Sequence, residues 1–300
     1  MLVRMALVRI GISGWRYEPW RGDFYPEDLT HDRELEYASR AVPTIELNGS
    51  FYSLQRPESY AAWYDATPPG FVFSMKANRF ITHIRRLKDI DGPLANVFAS
   101  GVFNLREKLG PFLWQFPPNF KFDPERMEHF LSMLPHDTFE GLELARKYEP
   151  RMEGKVALEV DEKRPMRHAI EIRHESFDDP AFIALLRKYK AAVVVADTTG
   201  KWPYIEDVTA DFMYLRLHGE KELYAGGYTE EALDRWAARI TAWKNGSEPD
   251  DAHVVSSKPA PERAGRDVYC YFDNDIKVRA PYDARTLMEK LGVRPSKYLS

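Results

Sequence analysis

Short apolar runs of strand length recur along the chain, most of them separated by stretches with a helical period. They are VRIGISGW (8–15), TIELNGSF (44–51), FVFSMKA (71–77), PFLWQFP (111–117), HAIEIRH (168–174), AAVVVADT (191–198), FMYLRLHG (212–219) and DVYCYFDN (267–274). β-branched and aromatic residues dominate these runs, as strands buried on both faces require. Between them, Tyr60, Trp63 and Tyr64 follow Pro57 on one helical face. Leu94, Val97, Phe98, Val102 and Leu105 keep helical spacing until Gly110 closes the segment. Asp123-Pro124 and Asp179-Pro180 read as an N-cap and first turn, and Thr229 and Asp283 open two further helices. Strands alternating with helices over 300 residues predict an α/β fold, a single-domain (β/α)8 barrel of TIM type spanning residues 1–300. An open doubly wound sheet is the alternative, but no G-x-G-x-x-G follows the first run. Three stretches break the pattern. Residues 199–211 contain Pro203 and show no helix, the charged segment 138–167 reads as an inserted arm, and the polar, Pro-rich residues 246–266 read as a mobile loop before the last strand.

Side chains alternate across a strand, so each run can be split into an interior and a helix-facing set. In HAIEIRH, Ile170 and Ile172 suit the helix side, which points Glu171 and Arg173 inward. The same test turns Glu46 and Asn48 inward against Ile45 and Leu47, and Ser74 and Lys76 against Phe73 and Met75. It sets Gln115 against Trp114 and Phe116, Arg216 and His218 against Leu215 and Leu217, and Asp273 against Phe272. Asp197 shares the parity of Val193 and Val195, which predicts a deep apolar layer ending in a carboxylate. Each run thus places a polar group near its carboxyl end, where β/α barrels build their sites. A bare interior salt-bridge plug is the simpler account, yet such plugs are usually no more stable than apolar packing, so the convergence favours a ligand site.

Composition narrows the function classes. A net charge of −4 and a pI near 6.1 remove any global nucleic-acid signature, leaving only local patches such as Lys76, Arg79, His83, Arg85, Arg86 and Lys88. That run reads either as a solvated helix face or as phosphate steering into the barrel mouth. The single cysteine, Cys270, excludes an internal disulfide and suits a buried strand position. No apolar run approaches the roughly 18 residues of a membrane span. The N-terminal apolar stretch is broken by Arg4 and Arg9 and reads as a first strand, so the cytoplasm is the default location. Aromatic loops (Trp15, Tyr17, Trp20, Phe24, Tyr25; Phe51, Tyr52; Trp202, Tyr204) suit either a lid core or stacking on a base or sugar. The sequence specifies no cofactor. If a divalent metal is held, Glu46, Glu171, Asp197 and His218 are its ligands, but no paired-histidine motif is present and interior cations would compete, so no metal is the expectation.

Taken together, GISGWRYEPWRGDFYP (11–26), VPTIELNGSFYSLQ (42–55), TPPGFVFSMKANRFITH (67–83), LREKLGPFLWQFPPNF (105–120), AIEIRHESF (169–177), YLRLHG (214–219) and YCYFDND (269–275) resemble the domain-of-unknown-function 72 family of YecE-like proteins. The resemblance implies a TIM-type barrel, and a likeness in shape to barrels that act on sugars or, with bound metals, on damaged DNA. It supplies no reaction. Its typical positions fall on Trp15, Glu46, Asn48, Tyr52, Lys76, Gln115, Glu171, Arg173, His174, Asp197, Arg216, His218, Asn274 and Asp275. Phe177 stands where the family usually has Trp, and Asp273 where it usually has Asn.

These readings lead to one expectation: a polar, aromatic-rimmed pocket at the carboxyl ends of the strands, taking a small anionic or polyhydroxylated ligand. Glu46 or Glu171 would be the general base and His218 the acid or shuttle, with Asp197 beside them. Trp15, Asn48, Tyr52, Lys76, Gln115, Arg173, His174, Arg216 and Asn274 would bind the ligand. Hydrolysis or isomerisation of a phosphate- or sugar-containing substrate is the expected chemistry, and a non-catalytic nucleic-acid-binding barrel is the alternative.

Overall fold

The computed structural model describes residues 5–295, so Arg4 of the N-terminal apolar run lies outside the described residues. Eight parallel strands close on themselves in chain order: β1 (Val8–Ser13), β2 (Thr44–Leu47), β3 (Val72–Lys76), β4 (Leu109–Gln115), β5 (His168–Glu171), β6 (Ala192–Asp197), β7 (Phe212–Leu217) and β8 (Asp267–Phe272). Each lies largely within the run expected for it, and the closed order is the TIM-type barrel. The helices α1 (Glu34–Ala41), α2 (Gly49–Tyr52), α3 (Pro57–Ala66), α4 (Asp91–Ala99), α5 (Pro124–Ser132), α6 (Thr138–Ala145), α7 (Pro180–Lys188), α8 (Glu230–Lys244) and α9 (Ala280–Leu291) sit in the connections. Asp123, Asp179 and Thr229 cap α5, α7 and α8 through their side chains, as their positions in the sequence indicate. No helix separates β6 from β7, in line with Pro203 and the absence of a helical period there.

Two cores result. The outer one packs Ile10, Ile45, Phe73, Trp114, Val193, Val195, Leu215 and Cys270 under the helices. The inner one stacks Val72, Leu113, Ala169, Ala192, Val194, Ala196, Tyr214, Tyr269 and Tyr271 inside the barrel. Glycine matters most at Gly11, where an added Cβ would meet the Thr44 carbonyl oxygen at 1.9 Å, so β1 and β2 approach closely only because that side chain is missing.

Several expectations change: α4 stops at Ala99, so Gly110 lies inside β4 and closes no helix, and Asp283 falls inside α9, which begins at Ala280. Residues 138–167 are not an inserted arm, because Asp137 caps α6 and α6 packs against α4. The stretch 246–266 lacks regular structure but is pinned at its centre. Buried Glu206 accepts from His253 N at 2.8 Å, and buried Asp207 accepts from Val255 N at 2.6 Å and Ser256 N at 3.1 Å. Finally, Val193 and Val195 face the helices, so Asp197 leaves the strand on the outer side, and Ala192, Val194 and Ala196 are the interior residues of β6.

Candidate functional site

Above the inner core lies a layer of paired charges. Arg216 comes from the interior side of β7 and is 0% exposed, as are Glu46 on β2 and Glu171 at the end of β5. Its guanidinium donates to Glu46 through Nε (3.1 Å) and Nη2 (2.9 Å), to Glu171 through Nη1 (3.0 Å) and to Asp273 through Nη2 (2.7 Å). Glu46 accepts two more bonds at 2.6 Å, from Ser13 Oγ and Tyr214 OH. Glu171 is further held by Gln115 Nε2 at 2.9 Å and Arg173 Nε at 3.0 Å. Burial alone would raise the Glu171 carboxyl, but Arg216 and Arg173 hold it well below the usual carboxylate range. Asp273 is lowered in the same way, against its burial, chiefly by Arg216. Carboxylates so saturated with donors are weak proton acceptors. The planar fork of arginine suits this arrangement, since one guanidinium reaches three acids.

His218 stands beside this layer, between Arg216 and Asp273. Nε2 accepts from Arg216 Nη1 at 3.4 Å, which assigns the proton to Nδ1 because arginine only donates. Nδ1 lies 3.0 Å from Asp273 Oδ2, off the line of a straight hydrogen bond.

Over the charge layer opens a cavity of about 800 Å³. Its wall includes Trp15, Asn48, Phe51, Tyr52, Lys76, Gln115, Arg173 and Asp273 from the expected set or its neighbours. Lys76 ends β3 with its Nζ 4.4 Å from the Phe51 ring centroid. Among the described residues its ammonium has no hydrogen bond and no carboxylate within ion-pair distance. Burial, then Arg216, push its amine down to about 8. Burial and Asp273 push the Asp275 carboxyl up to about 6. Burial and Arg79 push the His83 imidazole down to about 4. Two groups that titrate near neutrality therefore share one cavity.

Not every expected residue joins it. Asp197 accepts from Tyr228 OH at 2.9 Å on the outer side of β6. Asn274 is buried, donating to Asp283 Oδ2 at 2.7 Å and to Gly226 O at 2.9 Å. His174 accepts from Ser176 N at 3.1 Å and lines a neighbouring cavity of about 600 Å³. The two cavities share Arg173, whose guanidinium carbon sits 3.7 Å from the centroid of the Trp202 ring. With Asp197 on the far side and the two glutamates tied to Arg216, the set Glu46, Glu171, Asp197 and His218 is not gathered as a ligand sphere. Among the described residues no group of three or more metal-binding side chains is placed to hold an ion.

The basic run divides: Lys76, Arg79 and His83 face the cavity, while Arg85 pairs with Asp89 at 3.1 Å. Residues Phe80–Ile84 form a π-helical turn, a feature often found at functional sites. The first aromatic loop packs mainly on itself, with Trp20 and Phe24 ring centroids 5.4 Å apart and Phe24 and Tyr25 4.9 Å apart. Arg16, Trp63, Tyr224 and Ile276 also line the cavity wall, and none carries a sequence signal of it; the spacing of Trp63 indicates only a helical face.

A closed eight-stranded β/α barrel with a polar layer and open cavity at the carboxyl ends of its strands defines a TIM-barrel protein. A family model described as "Protein of unknown function DUF72" matches residues 9–299, and the chain belongs to that family. It is 28% identical over 131 residues to the UPF0759 protein YunF of Bacillus subtilis (strain 168), covering 41% of this chain and 44% of that one. It is 27% identical over 141 residues to the UPF0759 protein YecE of Escherichia coli (strain K12), covering 46% and 48%. The match thus spans about half the length of these curated relatives. The crystal structure of a DUF72 family protein from Thermotoga maritima MSB8 superposes with a TM-score of 0.68 at 26% identity, over 95% of this chain and 99% of that one. A DUF72 family protein from Enterococcus faecalis V583, at 16% identity, TM-score 0.67 and 96% coverage of both chains, shares the fold. Among the described residues no helix is long and apolar enough to cross a membrane.

Proposed function

We propose that the mouth cavity binds a small anionic ligand, phosphorylated or polyhydroxylated, and supports proton-transfer chemistry of the isomerase kind on it. One observation carries this reading: the cavity of about 800 Å³ presents Lys76 and Arg79, neither with a carboxylate partner among the described residues, beside Arg173. Cations left without counter-ions on a concave wall favour an anionic guest. Trp15 Nε1 and Asn48 Oδ1, on residues lining the same wall, are a buried donor and a buried acceptor without partners, which suits ligand hydroxyls. Isomerisation is preferred to hydrolysis because Glu46 and Glu171 have no free acceptor capacity with which to activate a water. Lys76 and Asp275 are the groups able to exchange protons near neutral pH.

The test is calorimetric titration with glycerol 3-phosphate, glycerol and inorganic sulfate. Phosphate-bearing and sulfate ligands are expected to bind and glycerol to bind far more weakly. Arg173→Met is expected to weaken sulfate binding by about ten- to a hundredfold, the range for a lost charge-assisted hydrogen bond. Equal affinity for glycerol and its phosphate would end the anion reading.

The pH profile of sulfate binding follows from the same two groups, because sulfate keeps its charge throughout. Asp275 becomes an anion as pH rises through about 6, and Lys76 loses its charge as pH rises through about 8. Affinity is therefore expected to fall in two steps, each of about tenfold at short range in a partly desolvated site. Asp275→Asn should remove the lower step and leave the upper one. A flat profile would contradict both assignments.

A second cavity of about 530 Å³ adjoins the first through Tyr52 and Gln55 and presents Arg56, Arg151 and Lys155, which favours the alternative of a nucleic-acid-binding barrel. Arg151 is already paired with Glu149 at 2.8 Å, which reduces its weight. A short oligonucleotide binding with a steep salt dependence, in place of glycerol 3-phosphate, would decide for that alternative.

A further inference from the structure

We propose that Lys76 is an amine nucleophile that forms a Schiff base with a carbonyl-bearing ligand in the mouth cavity. The proposal deepens the isomerase reading, since it names the substrate class as an aldehyde or ketone carrying an anionic or hydroxylated tail.

The argument begins with position. Lys76 is the last residue of β3, on the interior side with Val72 and Ser74, and its backbone is fixed by Ser50 Oγ donating to its carbonyl at 2.7 Å. It is 9% exposed, and the cavity is what it faces. Structural lysines at such depth are usually tied down. Lys108, the other buried lysine among the described residues, donates to Tyr64 O at 2.6 Å and Thr67 O at 2.7 Å. Lys76 has no such bond. The three nearby carboxylates, Glu46, Glu171 and Asp273, are all taken by Arg216, and the amine instead lies over the Phe51 face, a cation–π contact weaker than the hydrogen bonds that hold Lys108. A lysine that is desolvated and set beside another cation is how enzymes keep an amine neutral enough to attack a carbonyl. The lowered amine of Lys76 agrees with this geometry.

The chemistry balances without a further reagent. The neutral amine attacks the carbonyl carbon, a C–N bond forms, and the nitrogen gives up one proton as the carbonyl oxygen takes one, which yields a neutral carbinolamine. Loss of that hydroxyl as water, with a second proton supplied to it, breaks the C–O bond and leaves the iminium. Asp275 lines the same cavity and holds both protonation states near neutral pH, so it is the group to supply and recover those protons. The iminium then draws electrons from the neighbouring C–H bond, whose proton passes to the Asp275 carboxylate and leaves an enamine; returning that proton to a different carbon is what moving a carbonyl along a sugar-like chain needs.

The experiment is reductive trapping. The full-length protein is incubated with glyceraldehyde 3-phosphate or glyceraldehyde and sodium cyanoborohydride, and labelled lysines are located by peptide mass spectrometry. Lys76 is expected to be labelled at least about tenfold faster than exposed lysines such as Lys201 and Lys277, with the phosphorylated aldehyde faster than the plain one. Lys76→Arg keeps the charge but cannot form an imine, so it should lose that label while retaining the circular dichroism and melting of the parent. Labelling of Lys76 no faster than of the exposed lysines would overturn the proposal. Rapid labelling of Lys76 by both aldehydes alike would keep the nucleophile and overturn the anion site instead.

Discussion

Arg216→Met is expected to lower stability by about 3–5 kcal/mol, the usual result of removing one partner from a buried ion pair and stranding the others. Here the stranded groups are Glu46, Glu171 and Asp273, which lose two, one and one of the hydrogen bonds described above. Methionine fills much of the volume, so the loss is electrostatic and not a cavity effect. The sign of the pH dependence is set by the carboxyls. In the parent protein Glu171 and Asp273 lie below their ordinary values of 4.5 and 3.8. Their contribution is therefore complete above that range and is lost as pH falls below it. Without Arg216 the same buried carboxyls shift upward, so acid neutralises them and relieves the penalty. Denaturant unfolding of both proteins from about pH 7 to about pH 4 should show the gap closing. A gap that stays constant would mean that Arg216 acts through packing and not through charge.

Gly11→Ala is the second large effect. The new methyl group would lie 1.9 Å from the Thr44 carbonyl oxygen and 2.7 Å from Thr44 Cγ2. Thr44 cannot yield, because its hydroxyl donates to Val72 O at 2.7 Å and meets Tyr271 OH at 2.8 Å. Relief requires parting β1 from β2 where Gly11 pairs with Thr44, so the loss should exceed about 4 kcal/mol or leave the protein insoluble. Gly22→Ala is the control. Its φ of +76° strains an alanine, but nothing lies within 4 Å of the new methyl group, so about 1 kcal/mol is expected. Thermal melting of the two variants side by side separates close approach from backbone conformation.

Legibility from sequence tracked the contrast between the two faces of each strand. Glu171 alternates with Ile170 and Ile172, and Arg216 with Leu215 and Leu217, so their interior positions could be read directly. Asp197 follows Ala192-Val193-Val194-Val195-Ala196, a run apolar on both faces, where no alternation remains to fix the parity. There side-chain size is a misleading guide: Val193 and Val195 face the helices, and Ala192, Val194 and Ala196 occupy the inside of β6. Wall residues such as Trp63 on α3 and Tyr224 in the β7–α8 loop reach the cavity by the path of the folded chain, and neither carries a local sequence signal of that. Whether the ions of the charge layer were paired was likewise invisible. The sequence shows three interior cations, but only the fold shows that Arg216 takes all three carboxylates and leaves Lys76 with none.

The inner core has one more consequence. Val72, Leu113, Ala169, Val194, Tyr214 and Tyr271 close the lower end of the barrel beneath the ion pairs. Among the described residues the barrel is packed below and open at its mouth. A ligand bound in the mouth cavity enters and leaves across its rim, and the protons gained or lost by Lys76 and Asp275 are exchanged across it. Tyr52, 69% exposed, and Tyr224 stand on it. Under the proposed isomerase chemistry, turnover would be paced by clearance of the rim as much as by events at the cavity floor.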